Sequence, residues 1–352
     1  PSDSLGNLPD NRFGTTLFGL KTIASAVGGH LASLLQQQGF TGEKMKIAVV
    51  GSGLIGQAWA IVFARGGHEV KMWDGDPKAV TLAFRLIEEQ VADLQAAGLI
   101  TDPKGLVSRI SASATLEEVL QDVDYVQENL PERVEMKIEI FAKMDKLASP
   151  TTVLASSTSS IPASAFSENL PGRSRCLIAH PVNPPYLIPV VEICGAPWTD
   201  AAVVQKAWDV MESVGQKPVK IHRELRGFIL NRLQGALLRE AFRLVEQGYV
   251  DADGLDITIR EGLGLRWSFM GPFETIDLNA PDGLADYAHR FDEMYQAMST
   301  EQTSTDHWSE EIIAKLEAAR RAILPKDQLL ARRLWRDRRL MALAAHKKAV
   351  ES

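Results

Sequence analysis

The stretch from Met45 to Asp74 restricts the fold more than any other part of the chain. An apolar, β-branched run ends on Gly51, Gly53 and Gly56, and a helix-like segment and a second short apolar strand follow. In this pattern the first glycine permits a tight strand-to-helix turn, the second lets the backbone approach a pyrophosphate, and the third lets the helix pack closely on the strand. The spacing predicts a dinucleotide-binding βαβ unit.

The same stretch predicts which dinucleotide is bound. A helix is expected to start at this turn, and its first residues include Leu54 and Ile55. The phosphates would lie on the free N–H groups of this helix end, where the helix dipole favours negative charge. Asp74 ends the second strand, where a carboxylate accepts hydrogen bonds from the adenosine ribose and repels the 2′-phosphate of NADP. Lys78 is the only nearby cation. We therefore expect NAD as the cofactor, and no metal ion.

Composition excludes several classes of partner. The formal net charge of −7 disfavours nucleic acid and anionic membranes. No apolar run reaches the length of a membrane span, and the N-terminus lacks the features of a secretory signal in their usual order. The two cysteines, Cys176 and Cys194, lie in strand-like apolar runs and indicate buried thiols in a reducing compartment. We expect a cytoplasmic protein.

Strand and helix patterns divide the chain into three parts. Residues 1–44 form an N-terminal extension with an amphipathic helix pattern, to which no role is assigned. Residues 45–222 alternate strands, among them a short one expected at 106–110, with helices, which predicts a doubly wound parallel sheet, an α/β Rossmann domain. Residues 223–352 show helix patterns only, among them one continuous helix expected at 255–265, and predict a smaller all-helical domain. Asn231 and Arg266 in this half are candidates for substrate binding, and its apolar helices are candidates for dimerisation.

Polar side chains gather where the predicted strands end. In open α/β sheets, ligands bind beyond the carboxyl ends of the strands. The residues that fall at such ends are Gly51, Asp74, Glu128, the serines and threonine of 156–160, and His180. Their shared position predicts one site along this edge.

His180 is the strongest catalytic candidate. It ends a strand and runs into a proline-rich turn, and Glu192 follows in a strand flanked by apolar residues. A carboxylate buried in such a strand needs a partner, and an imidazole is a suitable one, since Glu would fix its tautomer. A purely structural pair remains the alternative from the residues alone.

Three other candidates have equally ordinary alternatives. The Ser/Thr run at 156–160 could be a polar loop, Asn231 a hydrogen-bonded core residue, and Arg266 a surface residue.

These residues together resemble the 3-hydroxyacyl-CoA dehydrogenase family, and most closely its lambda-crystallin / L-gulonate 3-dehydrogenase branch. The resemblance extends from about Lys46 to the C-terminal end of the sequence. It is carried by Gly51–Gly56, Gln127–Asn129, Ser157–Ser160, His180–Tyr186, Val191–Ile193, Gly227–Leu233, Arg243–Glu246 and Ala331–Arg336.

The resemblance implies a role for each site residue. His180 would be the base that takes the hydroxyl proton, and Glu192 would hold its ring. Ser159 and Asn231 would hydrogen-bond the substrate oxygen, and Glu128 would face the nicotinamide end of the cofactor pocket.

The resemblance also bears on the substrate. Acyl-CoA members have aromatic residues after the catalytic histidine, whereas this chain has Pro181 and Val182, as in the lambda-crystallin branch. This difference favours a small free 3-hydroxy acid, with L-gulonate as the leading candidate. A 3-hydroxyacyl-CoA such as 3-hydroxybutyryl-CoA, L-carnitine, and a non-catalytic crystallin-like role are the alternatives.

The carboxylate of a free acid needs a cationic partner. Arginine matches a carboxylate bidentately, so we assign this role to Arg266, with Arg232 as the second choice. Apolar helices in the second half, and the dimers that family members form, predict a homodimer through the helical domain.

Overall fold

The computed structural model describes residues 44–303 and 307–351. From Met45 onward the chain forms one compact unit. The predicted N-terminal extension, apart from Lys44, lies outside the described residues, so the structure says nothing of its amphipathic pattern.

One eight-stranded sheet organises the first half, in the order β3-β2-β1-β4-β5-β6-β7-β8. Neighbouring strands are parallel except β6 and β7, which are antiparallel. The strands are β1 Lys46–Val50, β2 Glu69–Trp73, β3 Ile110–Ala112, β4 Tyr125–Glu128, β5 Val153–Ser156, β6 Cys176–Pro181, β7 Val190–Gly195 and β8 Lys217–Ile221. The predicted Rossmann-type fold is confirmed.

The antiparallel pair is a departure from the fully parallel sheet expected. Only residues 182–189, with no helix among them, connect β6 to β7. A parallel neighbour needs a crossover of a dozen or more residues, so a connection this short must reverse the chain. The reversal brings His180 of β6 opposite Glu192 of β7 in register.

Helices cover both faces of this sheet. They are α1 Leu54–Arg65, α2 Pro77–Ala96, α3 Pro103–Ser108, α4 Leu116–Leu120, α5 Val134–Leu147, α6 Ser164–Ser167 and α7 Ala201–Ser213. Alternate residues of β1 point to opposite faces. Val49 packs with Trp59 and Phe63 of α1 on one side, and Val50 packs with Phe141 of α5 on the other. Burying each large apolar side chain contributes about 1.5–3 kcal/mol.

One strand prediction was wrong. The sequence suggested a strand at 106–110, but α3 occupies 103–108 and β3 begins at Ile110. The Asp102 side chain caps α3 by accepting a hydrogen bond from Gly105 N at 2.8 Å, and Pro103 occupies the first helical turn. An Asp-Pro pair is a helix-start signal, and here it prevails over the apolar pattern that follows.

In the second half, among the described residues after Ile221, all the regular secondary structure is helical. Its α-helices are α8 Phe228–Glu246, α9 Ala252–Ile257, α10 Gly264–Trp267, α11 Pro272–Asp277, α12 Gly283–Glu301, α13 Glu310–Ile323 and α14 Leu329–Glu351. A π-helical turn, Thr258–Leu263, interrupts the continuous helix expected at 255–265. No described helix is both long and apolar enough to cross a membrane.

Candidate active site

The turn after β1 has the geometry that a bound pyrophosphate needs. Gly51 has φ of +94°, and a Cβ there would lie 2.9 Å from the backbone carbon of Asn129. A Cβ on Gly56 would lie 1.9 Å from Gly51 O, so only glycine lets α1 approach this closely. Around Gly53, at the N-terminal end of α1, a Cβ would meet nothing within 4 Å. The open space, and the first N–H groups of α1 at Leu54, Ile55 and Gly56, which have no acceptor within the helix, suit a phosphate.

Asp74 lines a mainly apolar pocket beside the second strand. Its Oδ2 accepts hydrogen bonds from Ser52 N at 2.7 Å and Ser52 Oγ at 3.0 Å, and its Oδ1 accepts one from Asp76 N at 3.0 Å. The carboxylate thus holds the glycine turn and keeps some acceptor capacity for a ribose hydroxyl. The described residues lining this pocket include no Lys or Arg; they are Asp74, Pro77, Val80, Thr81, Phe84, Ala112, Ser113 and Ala114. An adenosine without a 2′-phosphate fits these residues.

The catalytic candidates His180 and Glu192 form a buried pair. His180 Nδ1 lies 2.8 Å from Glu192 Oε2, and both side chains are almost fully buried. Because the carboxylate can only accept, Nδ1 carries the proton of the neutral ring, which leaves the Nε2 lone pair available. His180 lines a cavity of about 430 Å³ at the carboxyl ends of the strands.

Glu192 also ties this pair to the helical half. Its Oε1 accepts hydrogen bonds from the backbone N–H groups of Ile229 and Leu230, at 2.8 and 2.9 Å. Burial raises the pKa of Glu192, but the hydrogen bonds from His180 and these two N–H groups outweigh it, so the pKa lies below its ordinary value. One carboxylate therefore orients the imidazole and caps the start of α8.

Ser159 and Asn231 line the same cavity as His180. Asn231 Nδ2 donates to Ser159 O at 2.9 Å, so α8 and the loop after β5 are joined at this point. The structure thus brings three of the four catalytic candidates together around one space, with Glu192 behind the imidazole. Of the predicted cofactor residues, Ile55 also lines this cavity, which joins the glycine turn to it.

The structure does not bring Glu128 to the cavity. Its side chain is fully buried, and both oxygens accept from Lys137 Nζ at 3.0 Å. Leu130 N and Ser156 Oγ donate to it as well. These donors satisfy the buried charge, and they fasten the ends of β4 and β5 to α5.

Glu132, four residues after Glu128, is a carboxylate at the cavity that sequence reasoning missed. It lines the cavity, and its Oε1 accepts from Thr158 Oγ1 at 2.6 Å, Ser160 N at 2.9 Å and Ser159 N at 3.1 Å. Burial raises the pKa of Glu132, but the hydrogen bonds from Thr158 and Ser160 outweigh it and lower the pKa overall. The available signal was its position just past β4, because the loops after neighbouring strands meet.

A second network fixes the cavity wall beside the glycine turn. Ser157 Oγ accepts from Trp59 Nε1 at 3.0 Å and from Gln127 Nε2 at 2.7 Å, and it donates to Asn129 Oδ1 at 2.7 Å. Asn129 Nδ2 in turn donates to Gln127 O at 2.8 Å. The polar groups of Ser157 and Asn129 are therefore engaged within the protein.

Neither arginine candidate lines this cavity in a single chain. Arg266 is half-buried on α10, and Arg232 is exposed on α8 beside Asn231. Among the described residues that line the cavity, the only ionisable side chains are Glu132 and His180.

Comparisons with known proteins find matches to both halves of the chain. Residues 46–225 match the 3-hydroxyacyl-CoA dehydrogenase NAD-binding domain, and residues 227–322 match the C-terminal domain of the same family. The chain is 41% identical to the lambda-crystallin homolog of Bos taurus over 303 residues, which are 85% of this chain and 94% of that protein. It is 39% identical to L-carnitine dehydrogenase of Streptomyces coelicolor over 238 residues, which are 68% and 74% of the two chains.

A solved structure has a similar fold. The NAD⁺-dependent dismutase 5-formyl-3-hydroxy-2-methylpyridine 4-carboxylic acid 5-dehydrogenase superposes with a TM-score of 0.74 at 25% identity, covering 88% of this chain and 99% of its own.

A Rossmann sheet with an imidazole–carboxylate pair at its edge defines an NAD-dependent oxidoreductase. With both domain models matched, the chain belongs to the 3-hydroxyacyl-CoA dehydrogenase family. NAD is its cofactor, and the residues around Gly53 and Asp74 would hold the pyrophosphate and the adenosine ribose.

Proposed function

We propose that this protein oxidises the 3-hydroxyl group of a small free 3-hydroxy acid to the 3-keto acid, with L-gulonate as the leading substrate. The supporting observation is the pair of His180 Nδ1 and Glu192 Oε2, 2.8 Å apart, on a cavity that Ser159 and Asn231 also line.

His180 is the base in this proposal. Glu192 holds the proton of the ring on Nδ1, so Nε2 accepts the proton of the substrate hydroxyl. The imidazolium that forms is stabilised by the carboxylate behind it. Ser159 and Asn231 position the substrate oxygen by hydrogen bonds. Bound NAD supplies the acceptor for the hydride that leaves the same carbon.

A purely structural, crystallin-like role accounts less well for this arrangement. An imidazole–carboxylate pair has to be hydrogen-bonded to be buried without a large cost, so packing alone would be served as well by apolar side chains of similar size. Retaining both groups beside Ser159 and Asn231 favours a working enzyme.

We also propose that the protein is a homodimer through the helical half. Several large apolar side chains there are exposed in the single chain, among them Phe269 at 70% and Phe273 at 75%. Exposed apolar groups in this number are typical of a surface that another chain covers. Arg266 lies among them, so we assign it to a substrate carboxylate in the assembled dimer.

The buried free thiols Cys176 and Cys194 support a reducing, cytoplasmic setting.

One steady-state panel tests the proposed substrate class. The purified protein is assayed with NAD and each of L-gulonate, 3-hydroxybutyrate, L-carnitine and 3-hydroxybutyryl-CoA. We expect the highest kcat/KM with L-gulonate. The highest value with the CoA ester or L-carnitine would contradict the proposal, and no turnover of any of the four would favour a structural role.

A further inference from the structure

The cavity contains more hydrogen-bonding groups than the reaction at the hydroxyl carbon uses. Ser157 and Asn129 are engaged with each other and with Gln127, and Glu132 is engaged with the loop after β5. His180 and Ser159, with Asn231, are assigned above to the reacting oxygen. Two polar side chains that line the cavity remain without a role: Asn183 and Gln234.

Gln234 lies on α8 one turn beyond Asn231, so both side chains are on the same face of that helix. Asn183 lies in the connection between β6 and β7, three residues after His180. Among the described residues neither side-chain amide has a hydrogen-bond partner. The two amides thus reach the cavity from different elements, and both are exposed and open to a ligand.

The chemistry of an amide restricts what it can recognise. Each carries two N–H donors and a carbonyl acceptor, and it has no charge. Hydroxyl groups, which both donate and accept, match this set on adjacent carbons of a polyol. A hydrocarbon chain placed against these exposed amides would displace their water without replacing its hydrogen bonds, which is unfavourable.

We infer that Gln234 and Asn183 form a recognition subsite for the hydroxyl groups of the substrate beyond its reacting carbon. The inference rests on the proposed function, which it deepens by assigning the substrate class to polyhydroxy acids. The cavity end that these amides line selects against acids whose chain is an alkyl group. A site built to hydrogen-bond a substrate hydroxyl discriminates strongly against an analogue that lacks it.

Gln234→Leu tests this inference, because leucine is of similar size and cannot hydrogen-bond. L-Gulonate and 3-hydroxybutyrate serve as the polyhydroxy and alkyl probes, both as free acids with a 3-hydroxyl group. We expect kcat/KM for L-gulonate to fall roughly 10- to 100-fold. The ratio of kcat/KM for L-gulonate to that for 3-hydroxybutyrate should fall as well, because the alkyl acid makes no hydrogen bond to lose.

Gln95→Leu is the matched control, since Gln95 is exposed on α2, away from the cavity. In this control, the ratio of kcat/KM for L-gulonate to that for 3-hydroxybutyrate should equal the wild-type ratio. Each variant is also titrated with NADH, and binding is followed by fluorescence. Binding as tight as in the wild-type protein shows that the Rossmann half is folded.

The outcomes separate the inference from the proposed function. A wild-type protein that uses L-gulonate, with an unchanged substrate ratio in Gln234→Leu, overturns the recognition subsite only. A wild-type protein that prefers 3-hydroxybutyrate or the CoA ester overturns both, because the amides would then face a substrate without extra hydroxyl groups.

Discussion

The two halves of this protein bury their apolar residues to very different extents. In the sheet half, strands and helices build a continuous core on both faces, with Trp59, Phe63 and Phe141 fully buried. Among the described residues of the helical half, the buried apolar side chains are few: Phe228, Ala241, Val245, Ile312 and Met341. The sheet half has its own hydrophobic core, whereas the helical half of a single chain leaves several aromatic side chains exposed.

The functional groups are divided between the two halves. The well-packed sheet half holds the glycine turn, Asp74 and His180 at strand ends. The helical half contributes Asn231 and Gln234 from α8, and α8 is anchored through Glu192. Four variants test this division of labour, from the largest expected effect to the smallest.

His180→Ala should separate chemistry from cofactor binding within the sheet half. Loss of a general base typically lowers kcat by about 10²–10⁴-fold. NADH affinity should change little, because the glycine turn and Asp74 lie elsewhere on the sheet edge. Stopped-flow turnover and NADH fluorescence measure the two quantities. A variant with wild-type kcat would remove His180 from the mechanism.

Phe269→Asp with Phe273→Asp should break the proposed dimer and leave the sheet half intact. Removing two aromatic contacts from a buried interface should raise the dissociation constant roughly 10²–10³-fold, since charged groups cannot be covered without cost. Light scattering at micromolar concentration gives the mass. Leu82→Asp, on the exposed face of α2, is the control and should keep the wild-type mass. A monomeric wild-type protein would reject the dimer.

Arg266→Ala tests whether the helical half of one chain completes the site of the other. Loss of a charge-assisted hydrogen bond to the substrate carboxylate should raise KM roughly 10- to 100-fold. In a second experiment, Arg266→Ala and His180→Ala proteins are dissociated, mixed and allowed to form dimers again. Half of these dimers contain one chain of each variant, and each such dimer holds one complete site. The mixture should therefore recover about a quarter of the wild-type kcat/KM.

The same mixture can contradict the assignment. If Arg266 acts within its own chain, the mixed dimers hold no complete site and activity stays at the level of the single variants. A wild-type KM in Arg266→Ala would move the carboxylate partner elsewhere.

Glu192→Gln should change the acid stability of the junction between the halves. The pKa of Glu192 is lowered below 4.5 in the folded protein, so its contribution to stability is fully present above that pH. The contribution is lost as pH falls through the folded pKa. The melting temperature of Glu192→Gln should therefore lie below wild type at about pH 7, and the difference should shrink below about pH 4.5. A constant difference across this range would mean that the carboxylate charge does not stabilise the junction.

Sequence alone predicted the Rossmann unit because its signals are local. Gly51 and Gly56 are required by backbone geometry within a few residues of themselves, and Asp74 follows from the length of one strand–helix–strand unit. The resemblance to the 3-hydroxyacyl-CoA dehydrogenase family, carried by short motifs, pointed to His180 with Glu192 and to Ser159 with Asn231. The start of β3 was predicted wrongly because the apolar pattern at 106–110 indicates a strand, whereas the helix-start signal at Asp102 decides the structure.

Tertiary structure alone decided which carboxylate and which further amides line the cavity. Glu128 and Glu132 are four residues apart on one segment, yet the first is buried against Lys137 and the second holds the loop after β5. Which carboxylate faces the cavity depends on the order of the strands and the position of α5, which no local pattern encodes. Gln234 is likewise an ordinary helix residue in the sequence, and only the packing of α8 against the sheet half places it on the same cavity as His180. Local spacing determines elements and turns, but contacts between distant elements depend on how their faces pack together.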